Sequence, residues 1–374
     1  MKAKGLVFYG TLVLWQLLTP VVSADQLVEL PSIQEALATA TTLETTIEKD
    51  PAIDPVAFHA RTHSARNPYF YVSAEAMFLH VNADTGGRIT ASFDSSGTVG
   101  REISFTTGTG VDDGYAFAPR FVLGRQLSDN WGIAARYFQL EDTTTGFPRL
   151  TPGTTPQPTF GTYTETDTLQ MYSIDLEAVR CFQPGKTKID ATFGARNAAI
   201  DVDSLFHAFG VITTGNFANL NLSNGCAFDG TGITSSLNFR RQWGDLPVYF
   251  FLGGRGSKLW GHSDSFGRAA GAIASSPSAP LVGAATVTRN NAEADLVILE
   301  ANVGVQLEFA LRHLPATAFL RVAFEYQDWD INGPPTGGAG FGGTIGDLTT
   351  SSFSSAGLGD TELTGASVAT GFTW

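Results

Sequence analysis

Residues 297–309 read Val-Ile-Leu-Glu-Ala-Asn-Val-Gly-Val-Gln-Leu-Glu-Phe. On an extended chain, Val297, Leu299, Ala301, Val303, Val305, Leu307 and Phe309 share one side. Glu300, Asn302, Gly304, Gln306 and Glu308 share the other. A period of two is the mark of a β-strand with one greasy and one wet face. Leu320, Val322, Phe324 and Tyr326 oppose Arg321, Ala323, Glu325 and Gln327 in the same way. So do Tyr172, Ile174, Leu176 and Ala178 against Ser173, Asp175 and Glu177. In a soluble sandwich the charged face looks outward; in a membrane barrel it looks inward.

The connections decide between the two. Four breaks are tight: Ser128-Asp129-Asn130, Gln183 to Lys186, Gly244 to Pro247 and Arg312 to Pro315. Five are long, near 85–113, 147–166, 205–227, 264–293 and 332–357. Ten strands are predicted, near 69–84, 114–128, 131–146, 167–182, 188–204, 228–243, 248–263, 294–311, 316–331 and 359–374. Alternating short and long connections are the layout of an up-and-down outer-membrane barrel, with short periplasmic turns and longer external loops. The predicted class is therefore an all-β, transmembrane antiparallel barrel over 69–374. An alternative of twelve strands adds a hairpin of Arg88–Phe93 with Val99–Phe105.

Aromatic residues collect where girdles at the two membrane interfaces belong: Trp131, Phe182, Trp243 and Tyr249 by the short turns, Trp260 and Tyr326 at the far ends. Phe372 and the last residue, Trp374, end the final strand on one face. Such a C-terminal strand is what the barrel assembly machinery reads.

The composition agrees. Of 374 residues, 43% are hydrophobic and only 16% charged, with 41 Gly and 27 Phe. There is ample apolar surface to bury, which excludes disorder. A net charge of −13 offers no basic surface to nucleic acid. Cys181 and Cys226 are the two cysteines, and without a CxxC they exclude zinc fingers and thioredoxin-like chemistry. Strand length places Cys181 at the periplasmic end and Cys226 in an external loop, so no disulfide is expected between them.

Residues 1–24 have the layout of a secretory signal peptide: Lys2 and Lys4, an apolar run from Gly5 to Leu18, then Val22-Ser23-Ala24. Residues 25–68 form a predicted periplasmic segment with a short amphipathic helix, capped by Ser32 with Glu35 and ended by Pro51 and Pro55. Tether, plug and oligomerisation segment are its open readings, and a homo-oligomer is left open with them.

The stretch from Phe117 to Tyr137, with Arg120-x-x-Leu123-Gly124, Trp131 and Tyr137, resembles a hairpin of the Legionella-type major outer membrane protein family. Related pore-forming barrels occur in planctomycetes. Asp175 to Ala178, the Gln183-Pro184-Gly185 turn and Phe193-Gly-Ala-Arg196 resemble its next hairpin, and Phe228 to Gly232 and Phe324-Glu-Tyr326 two later strands. Arg125 stands where an aromatic is usual, and the 25–68 extension is a further departure. The resemblance implies a pore-forming or major surface barrel in the outer membrane of a Gram-negative-type bacterium. It transfers no catalytic residue.

The polar faces put Glu75, Asp175, Glu177, Asp190, Glu300, Glu308 and Glu325 in the lumen, with Arg120, Arg136, Arg196, Arg240, Arg255 and Arg321. The leading expectation is a narrow porin-like pore for small hydrophilic solutes or ions, with these residues as its filter. The alternative is a structural or surface-interaction, adhesion-type protein whose barrel is filled by Arg–carboxylate pairs. The expected surroundings are outer-membrane lipids and lipopolysaccharide. No metal or cofactor is expected.

Catalysis is not expected either. His80, His207 and His262 are placed at the outer rim, and the groupings His262-Ser263-Asp264 and Asp201-Val202-Asp203 with His207 repeat no hydrolase motif. Gly338 to Gly343 satisfies GxGxxG as a string but follows Pro334-Pro335 and reads as a flexible loop. Asp112-Asp113 reads as a solvated turn.

Overall fold

The computed structural model describes residues 69–83, 88–95, 111–146, 159–213, 216–274, 282–311, 314–332, 337–345, 348–356 and 360–374. The signal peptide, the 25–68 segment with its helix, and residues 99–105 lie outside them. Thirteen strands are described: β1 (Phe70–Ala83), β2 (Arg88–Ser95), β3 (Val111–Gln126), β4 (Trp131–Gly146), β5 (Thr159–Phe182), β6 (Thr187–Thr213), β7 (Asn216–Gln242), β8 (Val248–Ala274), β9 (Val282–Ala310), β10 (Thr317–Asn332), β11 (Gly337–Ile345), β12 (Leu348–Ala356) and β13 (Thr361–Thr373).

Ten of them close into one barrel in the order β1-β13-β10-β9-β8-β7-β6-β5-β4-β3. Every pairing is antiparallel. The last residue seals the seam. Phe70 N–H donates to the Trp374 carbonyl at 2.9 Å, and Trp374 N–H donates back to Phe70 at 3.0 Å. Closure leaves no sheet edge in the bilayer, where an unpaired backbone group costs several kcal/mol.

The short turns form where the local chemistry favours them. Gly185 and Gly244 have φ near +65° and +59°, a region costly for residues with a Cβ. The Ser128–Asn130 turn is pinned by Leu127 N–H donating to the Trp131 carbonyl at 2.8 Å.

The twelve-strand alternative is not what the chain adopts. Arg88–Ser95 is a strand, but it pairs with β12, and β12 with β11, in a separate three-stranded sheet. In this sheet β11 lies against β8 and β9, and β12 against β7 and β8. The Gly338–Gly343 string is thus strand β11 rather than a loop. Asp112 and Asp113 belong to β3 rather than to a turn.

The long connections also differ from expectation. β1, β3, β4, β10 and β13 have 13 to 16 residues, but β5 to β9 have 24 to 29. Most of 205–227 and 264–293 is therefore strand. Their Ser, Thr, Gly and Asn content reads locally as loop, yet ladder pairing with long neighbours holds the backbone extended. A membrane strand needs about 9–11 residues, so this wall of five strands projects roughly 30 Å beyond the bilayer at the usual rise and tilt. Cys226 is accordingly not in a loop. It sits in β7, buried, with its Sγ 3.5 Å from the Ser263 hydroxyl. Cys181 and Cys226 are not bridged by a disulfide.

Candidate functional site

Strand alternation sets two faces. The outside exposes Phe78, Phe117, Ile133, Leu176, Phe193, Leu252, Val303 and Val322, among others. On β9 this apolar face runs from Val297 to Phe309, which covers roughly 30 Å of bilayer. Trp131, Phe182, Trp243, Trp260, Phe372 and Trp374 are exposed on it, and Tyr326 shares the outward face. Tyr249 does not. It faces inward, with the Arg240 guanidinium 4.9 Å from its ring. Its neighbour Phe250 takes the outer place and packs on Trp243 at 4.7 Å. The two are one residue apart, and one residue changes face.

All the charged residues assigned to the lumen face the interior, and most of them meet in two clusters. In the first, Arg120 Nε donates to Glu75 at 2.5 Å and its Nη2 to Glu325 at 2.8 Å. The Ser367 hydroxyl lies 2.7 Å from Glu75 and 3.0 Å from Glu325. The second centres on Asp175, which is 0% exposed. Arg196 grips it with Nε at 2.6 Å and Nη2 at 2.7 Å. Arg196 also reaches Glu300 at 2.7 Å. Arg136 donates to Glu300 at 2.5 Å, and Arg255 pairs with Glu177 and, at 3.3 Å, with Asp175.

Arg196–Asp175 and Arg120–Glu75 join adjacent strands, and the other pairs cross the lumen. β4 carries Arg136 and β9 carries Glu300, on opposite sides of a ring of ten strands. Arg255 to Glu177 and Arg120 to Glu325 each skip two intervening strands. Fork-shaped guanidiniums between carboxylates make strong, geometrically specific pairs. Together they fill the cross-section.

Closer to the periplasm, Lys188 meets Asp190 at 3.2 Å and Arg240 meets Glu308 at 2.5 Å. Arg321 lies between the rings of Phe251, at 5.2 Å, and Phe319, at 5.8 Å. Aromatic side chains lie over glycines of neighbouring strands: Tyr71 over Gly124, Phe251 over Gly304, Phe319 over Gly371. A Cβ at Gly124 would stand only 2.0 Å from the Tyr71 ring.

On the outer side of the charged layer the interior turns apolar. Met77, Leu79, Phe138, Leu140, Met171, Ile200, Phe228, Leu259, Leu296, Ile298, Trp329 and Leu363 form one buried cluster. The rings of Trp329 and Phe138 lie 6.2 Å apart near its middle, on opposite walls. The outer face inverts at the same height. Beyond Tyr326, β10 turns Asp328 and Asp330 outward and Trp329 and Ile331 inward. Asp201, Asp229 and Asp295 follow the same rule on their strands. Just above the belt the faces are thus those of a soluble barrel, with the apolar cluster inside and aspartates outside. Sequence reasoning missed this apolar plug, although Leu296 and Ile298 stand in the same phase as Glu300, and Met77 and Leu79 in the phase of Glu75. The signal was a change of residue type within one phase.

In this projecting part, burial raises the carboxyl of Asp167, while a hydrogen bond with Ser204 holds it back in part.

The candidate catalytic groupings do not assemble. His262 and Asp264 point outward from β8, while Ser263 points inward, buried, and donates to the Ala227 carbonyl at 3.1 Å. Asp201, Asp203 and His207 share the outward face of β6. Among the described residues, no group of three or more His, Cys, Asp or Glu is arranged to hold a metal.

Neither a family model nor a curated protein matches the chain. Solved structures do. The outer membrane protease OmpT from Escherichia coli is 10% identical, with 81% of this chain and 97% of that one covered and a TM-score of 0.35. A Pseudomonas aeruginosa FadL homologue is 8% identical, covering 82% and 90%, with a TM-score of 0.27. Neisserial surface protein A is 12% identical, covering 79% and 96%, with a TM-score of 0.22. At these scores the fold rests on the chain's own strand pairing. A closed antiparallel barrel with an apolar exterior is the spanning form of bacterial outer membranes, and this chain is an outer-membrane β-barrel.

Proposed function

We propose that the barrel is closed by its own side chains and that the protein works from its outward projection, as a structural or surface-interaction protein of the outer membrane. One observation carries this reading: the charged layer spans the lumen from wall to wall, and an apolar plug lies directly above it. A water-filled path needs polar groups with free valences along it. Here the arginines and carboxylates of the layer are paired mainly with each other, and the next layer is largely apolar, with the Gln327 amide against Trp329 as a buried polar group. Wide aqueous lumens belong to barrels of about 16 strands, while about eight are filled by side chains.

Conductance of folded protein in a planar bilayer tests it. The closed reading expects silence, with an empty-detergent control. Discrete steps with a reproducible ion preference would overturn it and restore the narrow pore, with Arg136, Arg255, Glu177 and Glu300 as its filter. Membership of the Legionella-type major outer membrane protein family is likewise proposed. The hairpin that carries the resemblance, Phe117 to Tyr137, is formed by β3 and β4. In this reading the protein is not an enzyme: Ser263 is turned away from His262 and Asp264, and the Asp201, Asp203 and His207 grouping carries no Ser, Thr or Cys nucleophile in its motif.

A further inference from the structure

The two membrane rims carry opposite charge. At the outer rim the outward groups are mostly acidic, as Asp295, Asp328, Asp330 and Glu362 show, and Lys258 there is paired with Asp295 at 3.2 Å. At the short-turn rim the outward charges of the strand ends are arginines. Arg125 leaves β3 with its guanidinium 4.8 Å from the Phe70 ring. Arg180 leaves β5 between Trp131, at 4.6 Å, and Phe182, at 5.5 Å. Arg241 is exposed on β7, in register with Phe250 on β8. Among the described residues none of the three pairs with a carboxylate, and the rim's ion pair is Lys186 with Asp245, at 2.9 Å.

We infer that this rim is a girdle that binds the phosphates of anionic phospholipids in the periplasmic leaflet. The aromatic rings set the depth, because such residues sit at the headgroup level. A guanidinium stacked on a ring has its face covered and its N–H edge free, the geometry that takes a phosphate in a fork. Long cationic side chains near the end of a membrane strand extend toward the headgroups rather than into the acyl chains. An anionic leaflet surface attracts each such cation. At the outer rim the cation over a ring, Lys258 by Trp260, is paired with Asp295 and surrounded by acidic groups, so the preference is for one side of the molecule.

The test compares folded wild type with R125Q/R180Q/R241Q in phosphatidylcholine vesicles, with and without phosphatidylglycerol. Urea unfolding rates are read from the gel-mobility difference between folded and unfolded barrel. In phosphatidylcholine the two proteins unfold alike. In anionic vesicles wild type unfolds about tenfold more slowly than the variant, and about 1 M salt removes the difference. An equal ratio in the two lipids overturns the inference. Inorganic phosphate added to phosphatidylcholine vesicles leaves the ratio unchanged, and if it reproduces the slowing, the girdle is a free-anion site and the lipid assignment falls. Should the variant not fold, native mass spectrometry of wild type from mixed micelles decides. Preferential retention of phosphatidylglycerol supports the girdle, and equal retention of the two lipids overturns it.

Discussion

Arg136 on β4 and Glu300 on β9 meet at 2.5 Å across the width of the barrel, five strands apart in a ring of ten. The pair ties opposite walls together and stands where an open channel would have its axis. Its neighbours Arg196 and Arg255 converge on the same carboxylates. Charges removed from water this completely are stable only because each has partners. Loss of one partner therefore leaves the rest uncompensated.

Substituting Arg136 by Ala is expected to destabilise the folded barrel by about 3–5 kcal/mol, because Glu300 and Asp175 lose a shared cation. R136Q/E300Q should recover part of that loss, since it removes both charges. Urea titration of the refolded protein, read by tryptophan fluorescence, measures both. A double variant no better than R136A would mean that the pair is not coupled.

The apolar plug predicts a separation between stability and conductance. Trp329→Ala removes the largest fully buried side chain and is expected to cost about 3–5 kcal/mol. If the plug is the seal, W329A/F138A conducts in a planar bilayer while E300Q stays silent. Conductance from E300Q with none from W329A/F138A would place the seal in the charged layer instead.

Gly124 is the sharpest packing constraint near the short turns. A methyl group there meets Tyr71 at 2.0 Å, so the ring must leave its place. Gly124→Ala is expected to cost about 1–3 kcal/mol, and G124A/Y71A should lose less than the two single changes added together. Additive losses in a double-mutant cycle would show that the ring and the glycine are not coupled.

Asp167 gives a pH dependence with a defined sign. Burial raises its carboxyl above the ordinary range near 3.9. Its contribution is thus fully present below that range and is lost as pH rises through the raised value. Asp167→Asn should match wild type at about pH 3 and become the more stable protein toward neutral pH. Unfolding midpoints taken at several pH values test this, and a wild-type advantage at neutral pH would contradict it.

Much of the architecture is written in local chemistry. Period-two alternation names the strands and their faces, because successive side chains of any extended chain point to opposite sides. Gly185 and Gly244 mark their turns because other residues resist that backbone region. The inward charges were legible for the same reason, residue by residue. Strand ends were less so: 205–227 and 264–293 lack the alternation of a membrane strand because they stand above the bilayer, where the greasy face turns inward. Tyr249 and Phe250 show the limit of a composition argument. Both are aromatic and adjacent, and only the register of β8 says which one faces the lipid.

The sequence by itself determined the ten strands of the barrel, their order along the chain and which residues share a face, since all three follow from spacing of a few residues. It did not determine what the lumen holds. Whether Arg136 reaches water or Glu300 depends on the diameter at which the sheet closes, and so on pairings between residues hundreds of positions apart. The tertiary structure decided that the inward charges meet one another across the axis, and that Trp329 and Phe138 close the space above them.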